Sequence, residues 1–254
     1  MWTIPAIHGN LSALTLIHDA LLERIKPGDR ILYHGNYTGY NLESASCIDE
    51  ILTFRRMVLA MRGMKPTDFV YLRGQQEQIW QKLLQLHYAP EPTDVLIWML
   101  GNGLNNTLLS YGINPYDGLE ACKLGSNGIA KWLNNIRETV RKHKGHAALA
   151  SAQMRAAYIS TSAAYPMLFV HAGLDAQNPL ELQGDSFWWD GGAFDTIEYA
   201  YKPFEKVVRG YDPQHRGLYL NCITANVDDG CGFGGKLISV GLESDGNVKE
   251  ILHA

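Results

Sequence analysis

The chain has 254 residues, 46% of them hydrophobic and 19% charged, a globular composition that excludes a disordered or fibrous protein and allows a well-buried core. A formal net charge of −4 supplies no basic field to hold nucleic acid or an anionic membrane surface. The four cysteines, Cys47, Cys122, Cys222 and Cys231, are widely spaced and form no C-x-x-C pair, which points to reduced packing thiols and away from a disulfide framework or a zinc knot.

Residues 2–7 read as a short buried strand, with no basic segment or small-residue cleavage pattern around it. The turn His8-Gly9-Asn10 follows, and then Leu11, Leu14, Ile17, Leu21 and Leu22 recur at helical spacing. The same strand–turn–helix order returns with a strand over 30–34, a Gly/Asn/Tyr loop to Asn41 and a helix over about 46–61 carrying Ile51, Leu52, Phe54 and Val58. A third unit has a strand over 69–72, a turn at Arg73-Gly74 and a helix holding Ile79, Leu83, Leu84 and Leu86. Strands alternating with helices imply an α/β layered core.

About 90–157 is mostly helical and is expected to be a cap packed beside that core, within a single domain spanning 1–254. Strand character returns over 157–161, 167–170, 206–209, 218–222, 236–240 and 248–252, with turns at 232–235 and Asp245-Gly246. The longest apolar stretches, near 95–100 and 167–170, fall far short of the roughly 20 residues of a membrane span. A cytoplasmic protein is expected, with neither membrane nor nucleic acid as partner.

Ligands of open α/β sheets collect outside the carboxyl ends of the strands. Five turns at such ends carry a pattern: Pro5-Ala6-Ile7-His8-Gly9-Asn10, Tyr33-His34-Gly35-Asn36-Tyr37-Thr38-Gly39-Tyr40-Asn41, Leu72-Arg73-Gly74-Gln75-Gln76-Glu77, Phe169-Val170-His171-Ala172-Gly173-Leu174 and Val207-Val208-Arg209-Gly210-Tyr211-Asp212-Pro213. In order and spacing they resemble the blocks G-D-x-H-G-N, G-D-x-x-D-R-G, R-G-N-H-E, V-H-A-G-L and V-x-G-H-T-P of the calcineurin-like metallophosphoesterases. The resemblance is to their bacterial phosphoprotein phosphatase branch, which includes serine/threonine and diadenosine tetraphosphate phosphatases. Two further stretches agree, T-L-L-S-Y-G within 104–112 and V-D-D-G-C-G-F-G-G-K-L within 226–237. The likeness covers nearly the whole chain and implies a layered β-sandwich flanked by helices, with a helical cap insertion.

In that family two divalent metals activate a bridging water and neutralise the phosphate. Carried over by position, the first metal needs an aspartate at 6, a histidine at 8 and a bridging aspartate at 36, where this chain has Ala6, His8 and Asn36. The second shares position 36 and adds an asparagine at 75 and histidines at 171 and 211, where Gln75, His171 and Tyr211 stand. Only His8 and His171 survive as metal ligands. The family's general-acid histidine falls at Gln76, the aspartate that orients it at Gly39, and an arginine that grips phosphate at Tyr40; Glu77, a supporting residue, is kept. A second phosphate-gripping arginine falls near Asp190, after Trp188-Trp189. Two dications held close together need anionic ligands to offset their repulsion, and both carboxylates are gone. No cofactor is expected, or at most one weakly bound divalent metal.

Several of these residues carry more than one reading. His8 and His171 form half of a reduced metal site, join His34 and His215 in a histidine-rich one suited to zinc or nickel, or remain as hydrogen-bonded histidines. Arg73 and Arg209 ligate a phosphate with their guanidinium forks, or Arg73 packs and Arg209 is solvated. Tyr40, Tyr211, Trp188 and Trp189 stack on a planar ligand, or fill the space that metals and water vacated. For the whole chain the expectation is a pseudophosphatase that binds a small phosphate-bearing molecule or a protein partner; the alternative is a phosphoesterase with a rebuilt one-metal or metal-free site.

Overall fold

The computed structural model describes residues 1–160 and 162–254. In chain order the regular elements are β1 (Trp2–Ile4), α1 (Leu11–Leu22), β2 (Ile31–Tyr33), α2 (Ser44–Ala60), β3 (Phe69–Tyr71) and α3 (Gln75–Leu83). A run of helices follows: α4 (Pro92–Met99), α5 (Asn105–Ser110), α6 (Pro115–Lys123), α7 (Gly125–Lys142) and α8 (His146–Ala152). The remainder comprises β4 (Ala157–Tyr158), β5 (Met167–Val170), α9 (Ser186–Trp189), α10 (Gly191–Phe194), β6 (Lys206–Arg209), β7 (Tyr219–Leu220), β8 (Thr224–Asn226), β9 (Ile238–Leu242) and β10 (Val248–His253).

Two five-stranded sheets result, in the orders β10-β9-β1-β2-β3 and β4-β5-β6-β8-β7. Strands β1, β2 and β3 are parallel, as are β5, β6 and β8. Both sheets are covered on both faces, which is why their central strands are apolar runs without alternation. In β5, Met167 and Phe169 point into the sandwich and join Leu32, Val208, Ile238 and Val240 in one cluster. Leu168 and Val170 point the other way, onto Phe187, Trp188 and Phe194. In the first sheet Trp2, Ile4 and Tyr33 face the stripe of Leu14, Ile17 and Leu21 on α1 and of Ile51, Phe54 and Val58 on α2. The layers are helix, sheet, sheet, helix, as the sequence pattern led us to expect.

The helical block α4–α8 has its own apolar cluster. On α7, Ile129, Trp132, Leu133 and Ile136 repeat at i, i+3, i+4 and i+7 and pack with Leu96, Met99 and Leu108, and with Ile79 and Leu83 of α3. No helix among the described residues is long and apolar enough to cross a membrane. All four cysteines are unpaired.

The differences from expectation are local. The strand over 2–7 stops at Ile4, because the Ala6 N–H bonds to the Gly210 carbonyl, 2.9 Å away, and leaves the first sheet's ladder. Of the strand expected over 157–161 only Ala157–Tyr158 is regular, with one further bond from the Ile159 N–H to the Met167 carbonyl at 2.9 Å, and Thr161 lies outside the described residues. β8 was not anticipated: Thr224–Asn226 is too short for a periodic signal.

Candidate functional site

The five turns converge where the carboxyl ends of β1, β2, β5 and β6 meet across the two sheets. Ile7 and His8 both donate backbone N–H bonds to the Asn36 carbonyl, at 3.0 and 2.8 Å, and Gly210 and Tyr211 donate to the His171 carbonyl, at 3.0 and 2.9 Å. His34 and His171 lock the sheets together: His34 Nδ1 bonds the Val170 carbonyl at 2.8 Å and His171 Nδ1 bonds the His34 carbonyl at 2.7 Å. His8 and Asn36 have left-handed backbones, φ 53° and 54°, which few residues other than glycine adopt. Gly74 admits no side chain, since a Cβ there would stand 2.5 Å from Asn36 N and 2.7 Å from His171 Cε1.

The side chains that converge do not fit a pair of metal ions. Ala6 has no donor atom and packs with Ala172 and Tyr211. The Asn36 Oδ1 accepts the Gln76 N–H at 2.9 Å, and its Nδ2 lies 3.4 Å from His8 Nε2. At His171 the one free lone pair, on Nε2, accepts the Gln75 N–H at 3.3 Å. Tyr211 stacks flat on the His171 ring, centroids 5.2 Å apart and planes 10° apart. Burial holds both histidines neutral: His8 is lowered to about 3, with His171 and His215 adding to the effect, and His171 is also lowered to about 3. His34 is lowered to about 4, again by burial.

Around the surviving His8 ring stand Tyr40, Tyr211 and Phe233, at centroid distances of 5.3, 5.5 and 5.1 Å, and His215 stacks on Phe233 at 3.9 Å. These rings form an aromatic collar around His8. His8 Nδ1 has no partner among the described residues, and a Cβ on Gly39 would reach within 3.0 Å of it. Gln76 donates from Nε2 to the Asn102 carbonyl at 2.9 Å. Glu77 is the polar anchor: its buried carboxylate accepts backbone N–H bonds from Asn36 (2.8 Å), Tyr37 (3.0 Å) and Gly74 (2.8 Å). The four histidines 8, 34, 171 and 215 do not gather three donor atoms; among the described residues the group of His, Cys, Asp or Glu donors within 4.8 Å of one another lies elsewhere.

The two arginines differ. Arg209 is fully buried, which corrects the expectation of a solvated side chain. Its Nη2 lies 3.1 Å from Asp212 and 3.3 Å from Asp195, Nη1 donates to the Gly191 carbonyl at 3.1 Å, and Nε to Asn226 Oδ1 at 3.2 Å. Protein groups surround the fork, with Nη2 in ion pairs to two carboxylates but without a hydrogen bond among the described residues. Arg73 lies 5.8 Å from the Trp188 ring, with Nε unpartnered among the described residues and a guanidinium whose charged form burial disfavours. Trp188 donates from Nε1 to the Arg73 carbonyl at 2.8 Å, Trp189 meets Trp98, and Asp190 caps α10 by accepting the Ala193 N–H.

Arg73 opens onto a cavity of about 390 Å³ between the core and the helical block. Its wall combines Arg73, Arg137, Arg141, Gln81 and His146 with Trp80, Leu84, Ile136 and Val140. That volume is in the range of small-molecule sites. The cavity was not legible in the sequence, because α3, α7 and α8 meet there only through the tertiary packing.

No protein-family profile matches the sequence, and no curated protein matches it significantly. Solved structures match over the full length. A protein provisionally assigned as a diadenosine tetraphosphatase aligns at TM-score 0.55 and 15% identity, covering 99% of this chain and 92% of that one. A hypothetical protein from Pyrococcus horikoshii OT3 aligns at 0.53 and 13%, covering 100% and 86%. A point mutant of a cold-active protein tyrosine phosphatase aligns at 0.50 and 15%, covering 98% and 78%. At such identities the likeness establishes the fold: this chain has the calcineurin-like metallophosphoesterase fold.

Proposed function

We propose that the chain is a pseudophosphatase, a binding or regulatory protein that keeps the metallophosphoesterase frame without its two-metal chemistry. The observation that supports this reading is the state of the donor atoms at the six family ligand positions. The two lone pairs best placed for metal, Asn36 Oδ1 and His171 Nε2, accept backbone N–H bonds from Gln76 and Gln75, and no carboxylate accompanies them. Neutral amides and imidazoles cannot offset the repulsion of two adjacent dications. The ligand we assign is a small phosphate-bearing molecule in the cavity, where Arg73 and Arg141 meet an anionic group and Trp80 an apolar body. A net charge of −4 disfavours nucleic acid, and four unpaired cysteines suit the reducing cytoplasm.

The test is hydrolysis of an aryl phosphate with and without manganese. General acid catalysis is worth roughly 10² to 10⁴ in rate and metal-activated water adds to it, so loss of both leaves turnover at the buffer rate. Ala6→Asp alone is expected to restore nothing, since residues that act as a unit are strongly non-additive. The sevenfold variant Ala6→Asp, Asn36→Asp, Gly39→Asp, Tyr40→Arg, Gln75→Asn, Gln76→His and Tyr211→His is the one to compare, although Gly39 has φ 136° and resists a side chain. Family-like turnover by the wild type, abolished by replacing His8 or His171, would establish the rebuilt phosphoesterase instead.

A further inference from the structure

One cluster of metal-binding groups lies outside the cleft. Asp49 on α2, His143 at the C-cap of α7 and His146 at the start of α8 bring one donor atom each within 4.8 Å of one another. Gly145, with φ 91°, makes the turn between α7 and α8 that sets the two imidazoles side by side, ring centroids 5.0 Å apart. Asp49 reaches them from 97 residues before His146, with Oδ1 3.0 Å from His146 Nε2. The opposite ring nitrogen, His146 Nδ1, lies 2.7 Å from the Tyr111 hydroxyl. His146 and Tyr111 also line the cavity described above.

We propose that this triad is a site for one borderline divalent cation of the zinc class, which clips α2 of the core to the α7–α8 turn of the helical block at the rim of the cavity. Two neutral imidazoles and one carboxylate suit Zn²⁺, Co²⁺ or Ni²⁺ better than Mg²⁺ or Ca²⁺, which take oxygen donors. A tetrahedral zinc with bonds near 2.1 Å separates its ligand atoms by roughly 3.4 Å. The Asp49–His146 pair, at 3.0 Å, has to open slightly to reach that separation, and since all three donor atoms lie within 4.8 Å of one another, His143 has to close by at most about 1.4 Å. Tyr111 is the outer partner: with the ion on His146 Nε2, the Nδ1–H donates to the Tyr111 oxygen and fixes ring and tautomer, as partners of metal-bound histidines do. The fourth position stays open to water or to an anionic group in the cavity. The site shares no residue with the strand-end cleft, so it stands or falls independently of the pseudophosphatase reading.

Zinc is titrated into chelator-treated protein by calorimetry, and cobalt is followed by its visible absorption, which reports ligand geometry. The wild type is expected to take one equivalent, with a raised melting temperature and a tetrahedral cobalt spectrum. Asp49 is exposed and His143 half-buried, so Asp49→Asn and His143→Ala should keep the fold and weaken binding at least about tenfold; Tyr111→Phe, which removes only the outer partner, should weaken it about 10- to 100-fold. His8→Asn, which suits the left-handed backbone at that position, should bind as the wild type does. No saturable binding to the wild type, equal binding by His143→Ala and Asp49→Asn, or loss of binding in His8→Asn would each overturn the assignment.

Discussion

The strand-end cleft and the seam between core and helical block stand in opposite physical states. In the cleft, Asn36, His171 and Glu77 are hydrogen-bonded to backbone and His8 is ringed by aromatic side chains, while His8 Nδ1, His34 Nε2, Arg209 Nη2 and His215 Nδ1 are buried without a hydrogen-bond partner among the described residues. At the seam, arginines, a glutamine and a histidine border a cavity of about 390 Å³ that the protein leaves open. The left-handed turns at His8 and Asn36 hold the backbone of the cleft while the Asn36 and His171 side-chain acceptors are engaged within the fold. Groups already satisfied within the fold have little left to offer a ligand, so recognition is sought where polar groups and empty volume coincide.

The largest expected effect tests whether the cleft is held together from within. Glu77 accepts three buried N–H bonds, from Asn36, Tyr37 and Gly74, and so ties the turn after β2 to the start of α3. Leaving a buried donor unpaired costs about 1–3 kcal/mol, so Glu77→Ala should lose about 4 kcal/mol or more in urea unfolding. A loss under about 1 kcal/mol would mean that water replaces the carboxylate and that the cleft is not dry.

The next effect follows from the buried histidines. His8 and His171 are lowered to about 3 and His34 to about 4, against roughly 6.5 in the unfolded chain. Between those values the unfolded chain binds protons that the folded chain refuses. The stability they contribute is complete above pH 6.5 and is lost as pH falls toward the folded values. Each histidine should add about 1.4 kcal/mol per pH unit to that slope. His8→Asn, which keeps a residue tolerant of the left-handed backbone, should flatten it by that amount between pH 6 and 5. An unchanged slope would show that His8 takes up its proton in the folded state and that its surroundings are wetter than they look.

The sequence disclosed the cleft far better than the seam. Strand ends and their turns are contiguous in the chain, so the sequence alone assigns His8, Asn36, Gln75, His171 and Tyr211 to one place. The burial of Arg209 is not legible locally because Asp195, one of its two carboxylate partners, comes from the irregular segment after α10. Thr224–Asn226 was missed because three residues buried on both faces have no alternation to detect. The seam is assembled from α2, α3, α5, α7 and α8, whose mutual placement no local pattern encodes; the spacing His143-x-x-His146 was visible, but nothing in it pointed to Asp49.

The smallest stability effect carries the most information about function. Arg73 sits at the edge of the cavity above Trp188, and no ion pair or side-chain hydrogen bond engages its guanidinium among the described residues. A cation–π contact of this kind is worth about 0.5–1 kcal/mol where solvent reaches it, and methionine keeps most of the apolar stem. Arg73→Met should therefore change unfolding stability by less than about 1 kcal/mol. If the cavity receives a phosphate group, the same substitution should weaken inorganic pyrophosphate binding at least about tenfold, because a charge-assisted hydrogen bond contributes about 1.5–3 kcal/mol. A variant that loses several kcal/mol of stability would place Arg73 among the structural residues of the cleft, and unchanged pyrophosphate binding would remove the phosphate from the cavity.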